Sequence, residues 1–338
     1  MCGTDWMGHV GSLNWNECVK ISLITPAGKH SRNGNRTTAV RWARLLRQAG
    51  HRVRIATDYQ GEAADAMIAL HARHSAAAVR RYREQMRQGP LVVGLGGTDV
   101  NTYLKTERAL TLGSMEMADA LICLHDLIGP ELPAAMRGKL HVVRQSAPPL
   151  AQPRQPSKRH FDVCVIGHLR AEKDPFRTAL AARRLPAASR LRVHHLGGTH
   201  SADYAAQARA EMARNPRYLW RGAVPGGRVR REFGKTHAMV ISSLQEGGAN
   251  VVSEAVAAGV PIIASDISGN IGLLGPDYPG YYPVGDEAAL AEMLLRAEMQ
   301  PGFLPCLARH GGKLAPLFQP AHERAALAKI INAVSRPR

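Results

Sequence analysis

The run VKISLIT, residues 19–25, closed by Pro26-Ala27-Gly28, restricts the fold more than any other feature of the chain. It is too short for a helix and mainly apolar, the mark of a strand candidate. A polar turn, KHSRNGNR, follows; then TTAVRWARLLRQAG is apolar at helical period and stops on Gly50, and HRVRIAT returns as a strand. Strand, glycine turn, helix and strand make a βαβ unit, which commits the chain to a parallel sheet with helices on its faces. AMIALHA, PLVVGLG, MADALICL and KLHVVRQS continue as strands, with SAAAVRRYREQMRQ as a helix. The alternation halts at APPLAQPRQPSKRH, where four prolines interrupt any apolar period, and restarts at FDVCVIG. RLRVHHLGG, YLWRG, AMVISS and PIIAS are its further strands, and DPFRTALAARRL, DYAAQARAEMAR, VRREFGKT and VSEAVAAG its helices. The expected fold is α/β: two Rossmann-like, doubly wound parallel-sheet domains facing a cleft, with the carboxyl ends of both sets of strands turned toward it.

The expected divisions are a disordered tail over 1–18, an N-terminal domain over 19–146, a linker over 147–160, a C-terminal domain over 161–300, and helices over 301–338 that pack back across the domains. A chain of 338 residues is long enough for two cores. No apolar run reaches the roughly eighteen residues of a membrane span, and MCGTDWMGHVGSLNWNEC lacks the order of a secretion signal. The five cysteines are scattered without a CxxC pair, which points to a reducing cytoplasm. The net charge of +17 favours anionic ligands. Nucleic acid is not the expected partner, because aromatic residues do not interleave with the basic ones.

The segment EGGANVVSEAVAAGVPIIAS, residues 246–265, carries the chemistry. Gly247 and Gly248 let the backbone approach a ligand closely, and the amides of Gly248, Ala249 and Asn250 open a helix where phosphate oxygens are welcome. Carboxylates repel phosphate, so Glu246 and Glu254 suit hydroxyl groups at the two ends of a diphosphate. Glu254 is expected about two turns into the helix. The plain alternative is a helix start whose acidic residues offset the dipole.

Three blocks, IGHLRAEKDPFRTAL, YLWRGAVPGGRVRREF and EGGANVVSEAVAAGVPIIAS, resemble in order and spacing the nucleotide-sugar domain of GT-B glycosyltransferases of the family-4 type. By that resemblance Glu246 contacts the hydroxyls of the donor sugar, Glu254 the ribose, and Lys173 the diphosphate. The turn Gly167-His168-Leu169 has histidine where the family has arginine, and Arg170 is the candidate for the missing charge. Trp220, Arg221, Gly222 and Ala223 match the segment that reads the nucleobase, and Val251 continues the donor set. With SRNGNRTTAVRWARLLRQAGHRV, ALHARHSAAAV, GGTDV and SGNIGLLGPDYPGYYPVGD added, residues 19–298 look like the selenosugar synthases of selenoneine biosynthesis. That resemblance implies a carbon–selenium bond made from UDP-N-acetylglucosamine and selenophosphate, with UDP and phosphate released.

The chemistry expected is substitution at an anomeric carbon, with Lys173, Arg170, Glu246 and His71 as the catalytic set. Asp-x-Asp, the usual metal-recruiting motif of the other transferase fold, occurs nowhere in the chain, so neither a metal nor a cofactor is expected. The acceptor side falls to Gly34, Asn35 and Arg36 at the first helix, His71 and Arg73 after a strand, Thr98 and Asp99 of GLGGTD, and His125. His71, Asp99 and His125 are alternative bases for later hydrolysis of a selenium–phosphorus bond. The plainer alternatives are that His71 is a core histidine, Asp99 a helix cap, and the arginines of HARH solvated, with His194 and His195 structural. Two rivals stand beside this reading: a UDP-sugar transferase of the same fold using a lipid or glycan hydroxyl, and, from a different class, a non-catalytic nucleotide-sugar or nucleic-acid binder. RRYREQMRQ has too little apolar face for stable membrane association.

Overall fold

The computed structural model describes residues 18–31 and 34–335; all but the last residue of the expected tail over 1–18 lies outside them. Twelve strands form two sheets of six. The first contains β1 (Lys20–Ile24), β2 (Arg52–Ala56), β3 (Ala66–Leu70), β4 (Leu91–Gly94), β5 (Ala120–Cys123) and β6 (Leu140–Val142). The second contains β7 (Phe161–Ile166), β8 (Leu191–Leu196), β9 (Tyr218–Trp220), β10 (Ala238–Ile241), β11 (Ile262–Ser265) and β12 (Tyr281–Tyr282). Every pairing is parallel. β12 is only two residues long and sits among prolines and glycines, which hid it from the sequence pattern.

The sheets differ in order. The first runs β2-β1-β3-β4-β5-β6 and reverses direction of growth between β1 and β3. The second runs β12-β11-β10-β7-β8-β9 and reverses between β7 and β10. At such a reversal the connections on either side depart to opposite faces, and a crevice opens beyond the carboxyl ends of the two strands. The loops after β7 and β10 carry Gly167-His168 and Glu246-Gly247-Gly248, so the donor motifs stand at one reversal. His71 follows β3 at the other.

Apolar side chains cover both faces of the first sheet, with Leu23, Ile24, Met67, Ile68 and Leu91 almost wholly out of water. Each such side chain contributes about 1.5–3 kcal/mol of burial. Trp42, on the helix Gly34–Gln48, fills one face of this sheet together with Leu327, Ile330 and Ile331 of the last helix, Pro320–Val334. The final helix therefore completes the N-terminal core, although the segment before it, including Phe318, packs in the C-terminal one. The chain thus passes between the halves twice. Glu323, fully buried, clamps both passages: its carboxylate accepts from Arg41 Nε at 3.1 Å, Trp42 Nε1 at 2.8 Å and the Ser146 amide at 2.8 Å.

Candidate active site between the two sheets

In the C-terminal half, the 3-10 turn Ala171–Lys173 follows β7 and aims Lys173 at the loop after β10. The Lys173 ammonium forms an ion pair with Glu246, whose carboxylate also accepts from Ser243 Oγ at 2.6 Å. Ser242 Oγ donates to the Asp174 carbonyl at 3.0 Å, tying the two loops together. Lys173 and Glu246 line one small crevice with Gly167, His168, Ser243 and Val251. His168 is held by the Gly198 amide, which donates to its Nδ1 at 3.0 Å, and partial burial pushes its pKa down. Arg170 is turned away and pairs with Glu172 at 3.1 Å. The charge missing from the glycine turn is therefore not delivered to Lys173 in this arrangement.

Gly248 has a φ of +116°, a conformation that L side chains avoid, and any Cβ there would run into Leu124. The helix Asn250–Ala257 starts directly afterwards, with Ala249 at its cap and Val251 half-buried. Glu254 is its fifth residue, one turn in rather than two, because Gly248 and Ala249 belong to the loop. Its carboxylate accepts from the Asn250 side-chain amide. Burial raises its pKa, while the guanidinium groups of Arg41 and Arg230 pull it back. On the far side of the sheet end, Trp220 Nε1 donates to the Gly197 carbonyl at 2.7 Å, Arg221 is exposed, and Gly222 turns at a φ of +67°.

The N-terminal half builds a tighter cluster. His71 adopts a φ of +74°, which is costly for a non-glycine residue and in folded proteins gathers at functional sites. Its Nδ1 faces Asp99 Oδ1 at 2.8 Å and its Nε2 meets Thr98 Oγ1 at 2.8 Å. Asp99, fully buried, accepts from the amides of Ala72 at 2.8 Å, Arg73 at 2.9 Å and Gly96 at 2.8 Å. It opens a π-helical turn, Asp99–Tyr103, a rare form found mostly at functional sites. Asp99 is therefore neither a simple cap nor solvated. The Arg73 side chain pairs with Glu107 at 2.8 Å through Nε and lies over the Tyr103 ring, so HARH is not a solvated stretch. His125 is buried, accepts the Leu127 amide on Nδ1 at 3.3 Å, and is kept neutral, its pKa driven down to about 4 by burial. It abuts Gly272 of the opposite half rather than His71. Gly34, Asn35 and Arg36 form the first turn of the helix Gly34–Gln48.

The halves meet through main chain. A Cβ on Gly97 would come within 2.5 Å of the Gly247 amide nitrogen, so the GLGG loop and the EGG loop touch backbone to backbone. Two participants, Ser243 and Arg41, escaped the sequence pattern, and a third, His195, has the structural role expected of it. Ser243 next to Glu246 is a short polar residue with no spacing signal. His195, in mid-strand, donates from Nε2 to the Gly167 carbonyl at 3.1 Å and so fixes the donor turn. Arg41 reaches across to Asn250 Oδ1 at 2.9 Å. Among the described residues no three His, Cys, Asp or Glu side chains gather as a metal-holding group, and no helix is long and apolar enough to cross a membrane.

Two parallel sheets facing one another across glycine loops, with the crevice at a strand-order reversal, define the GT-B architecture. Residues 150–303 match the model of the protein family described as Glycosyl transferases group 1. Solved structures agree on the fold. HepE of Anabaena, solved in complex with UDP, superposes with a TM-score of 0.75 at 13% identity, over 93% of this chain and 100% of its own. Sucrose-phosphate synthase of Thermosynechococcus elongatus gives 0.76 at 16% identity, over 93% of this chain and 98% of its own. No curated protein matches the chain in sequence.

Proposed function

We propose that the protein is a UDP-sugar-dependent transferase whose acceptor is selenophosphate and whose product is a selenosugar. The observation that carries the donor assignment is the Lys173–Glu246 pair, set beside a glycine-led helix start at the β7/β10 reversal. An ammonium and a carboxylate locked together in this way match the two chemistries of a nucleotide-sugar: the lysine turns to the diphosphate, and the glutamate accepts from sugar hydroxyls. The amides of Gly248, Ala249 and Asn250 stabilise the charge that grows on the departing diphosphate. Glu254 takes the ribose hydroxyls, and the Trp220–Gly222 segment the base. HepE, which shares the fold, has also been solved with UDP-glucose.

In the reaction, selenium attacks the anomeric carbon, the bond from that carbon to the diphosphate oxygen breaks, and UDP leaves with its electron pair. Water then cleaves the selenium–phosphorus bond and releases phosphate. Selenophosphate is already ionised and needs no base for attack. The N-terminal domain over 19–146 is the acceptor side, with His71, Thr98, Arg73 and Arg36 as its polar wall, Asp99 buried behind His71, and Gly34, Asn35 and His125 at its edges. A specific observation favours a second reading, a hydroxyl acceptor: Asp99 Oδ1 lies beside His71 Nδ1 and the Thr98 hydroxyl beside Nε2, the carboxylate–histidine–hydroxyl geometry a general base uses.

The deciding assay incubates purified protein with selenophosphate and a panel of UDP-sugars and reads products by mass spectrometry. A sugar bearing the selenium isotope pattern, with UDP and phosphate in equal amounts, is the expected result. UDP release only on addition of hydroxyl acceptors, without any selenium-bearing sugar, would transfer the assignment to the second reading.

A further inference from the structure

We infer that Arg41, a residue of the N-terminal half, is a positioning residue for the donor site: it holds Asn250, and through Asn250 the ribose-facing carboxylate of Glu254. The inference rests on the donor assignment proposed above. Arg41 lies on the helix Gly34–Gln48, nine-tenths buried, and its guanidinium is shared between two partners on different bodies. Nε donates to Glu323 of the last helix at 3.1 Å, and Nη1 donates to Asn250 Oδ1 at 2.9 Å. With its Oδ1 occupied, the Asn250 amide can turn only its NH₂ group toward Glu254, and it donates to Oε1 there. Reversing that amide would set two oxygens against each other and waste the Arg41 hydrogens. Arg41 therefore donates both to Glu323 and to Asn250, and Asn250 in turn donates to Glu254, with one allowed orientation of its amide.

Core stability alone does not account for Arg41. Its Nη2 is buried and has no hydrogen-bond partner among the described residues, which costs about 1–3 kcal/mol. A buried ion pair with Glu323 is itself a poor source of stability compared with apolar packing. Both costs become intelligible when the positive charge is needed near Glu254. Asn250, Arg41 and Arg230 are the polar and charged groups that act on this carboxyl. Glu254 must be ionised to accept from ribose hydroxyls, and burial works against that; Arg41 offsets it from the opposite half.

The test is UDP binding by calorimetry to the full-length chain and to Arg41→Lys, Asn250→Ala, Glu254→Gln and the Arg41→Lys/Glu254→Gln double variant. Wild type binds UDP; each single variant binds about tenfold more weakly, the scale of one hydrogen bond to a charged group. The double variant binds no more weakly than Glu254→Gln, because Arg41 acts through Glu254. In a further variant, Arg41→Met, which removes the charge that Arg41→Lys keeps, the loss of affinity on acidification sets in at higher pH than in wild type, a shift that a purely structural role would not produce. Asn250→Ala cuts the same link without touching Glu323, so the idea stays exposed to refutation even where Arg41→Lys fails to fold. Wild-type affinity in both Arg41→Lys and Asn250→Ala, or losses that add in the double variant, would overturn the inference and leave the donor assignment standing. A wild-type protein that binds no UDP removes the donor assignment, and this inference with it.

Discussion

The two halves share an architecture and solve the problem of placing polar groups in opposite ways. At the β7/β10 reversal, Lys173 and Glu246 answer to each other and to Ser243, and both keep some exposure to the crevice. At the β1/β3 reversal the acid is swallowed: Asp99 accepts three backbone amides and orients His71, with no surface left. The first arrangement holds charges that a ligand can take over. The second is a fixed frame, in which the carboxylate builds the loop and holds a histidine that is itself buried, at a strained φ, against Thr98. Ligand-facing charge is expected to be dispensable to the fold and decisive for turnover; framework charge is expected to be the reverse.

The largest effect that tests this contrast falls on Lys173. Lys173→Met should lower kcat for UDP release by about 10²–10³, the loss typical of removing one donor to a developing negative charge, with an unchanged melting temperature. A protein that melts much earlier would break the distinction. Next comes Asp99→Ala, which strips the acceptor from three buried amides and should cost about 3 kcal/mol of stability in denaturant unfolding. Glu246→Ala, at a partly exposed pair, should cost under about 1 kcal/mol.

A third measurement sharpens the picture within the second sheet. His194, between Asp162 on β7 and Glu232, is raised to about 9 from the ordinary 6.5, first by the Asp162 carboxylate 3.4 Å from its Nε2 and then by Glu232, 3.2 Å from its Nδ1. A raised histidine stabilises fully below 6.5 and loses that contribution as pH climbs through 9. Stability should therefore decline across that window by on the order of 2 kcal/mol, and His194→Gln should flatten the decline in calorimetric scans. The remaining effect is at the seam. Gly97→Ala brings a methyl within 2.5 Å of the Gly247 amide nitrogen, so one of the two loops must shift; turnover should fall about tenfold through misalignment, and UDP affinity by a smaller factor, because Gly247 belongs to the donor loop.

Much of the second half was legible in the sequence because its chemistry is local. Glu246, Gly247, Gly248 and Glu254 fall within one loop and one helix turn, so linear spacing encodes their geometry. Strand positions were equally readable from apolar runs, the two-residue β12 excepted. The order of strands was not, since nothing in a run of valines states its neighbour. In the N-terminal half His71, Thr98 and Asp99 come from different strand ends, and the role of Asp99 depends on amides that every residue carries. Arg41 and Glu323 are 282 positions apart; an arginine among the others of a basic helix gives no sign that it is buried. Arg170 shows what spacing leaves out: its charge and position suit the diphosphate, and the structure adds a pairing with Glu172, two residues on, that the sequence does not announce.

The last helix has a practical bearing on attempts to recombine such enzymes. Leu327, Ile330 and Ile331 are at home in the core that begins at β1, and Glu323 anchors there on Arg41, Trp42 and Ser146. A chimera cut at the proline-rich connector alone would graft this helix onto a foreign surface and strand a naked carboxylate inside it. Exchange of specificities between relatives calls for a discontinuous unit, in which residues 320–334 travel with the opening 146.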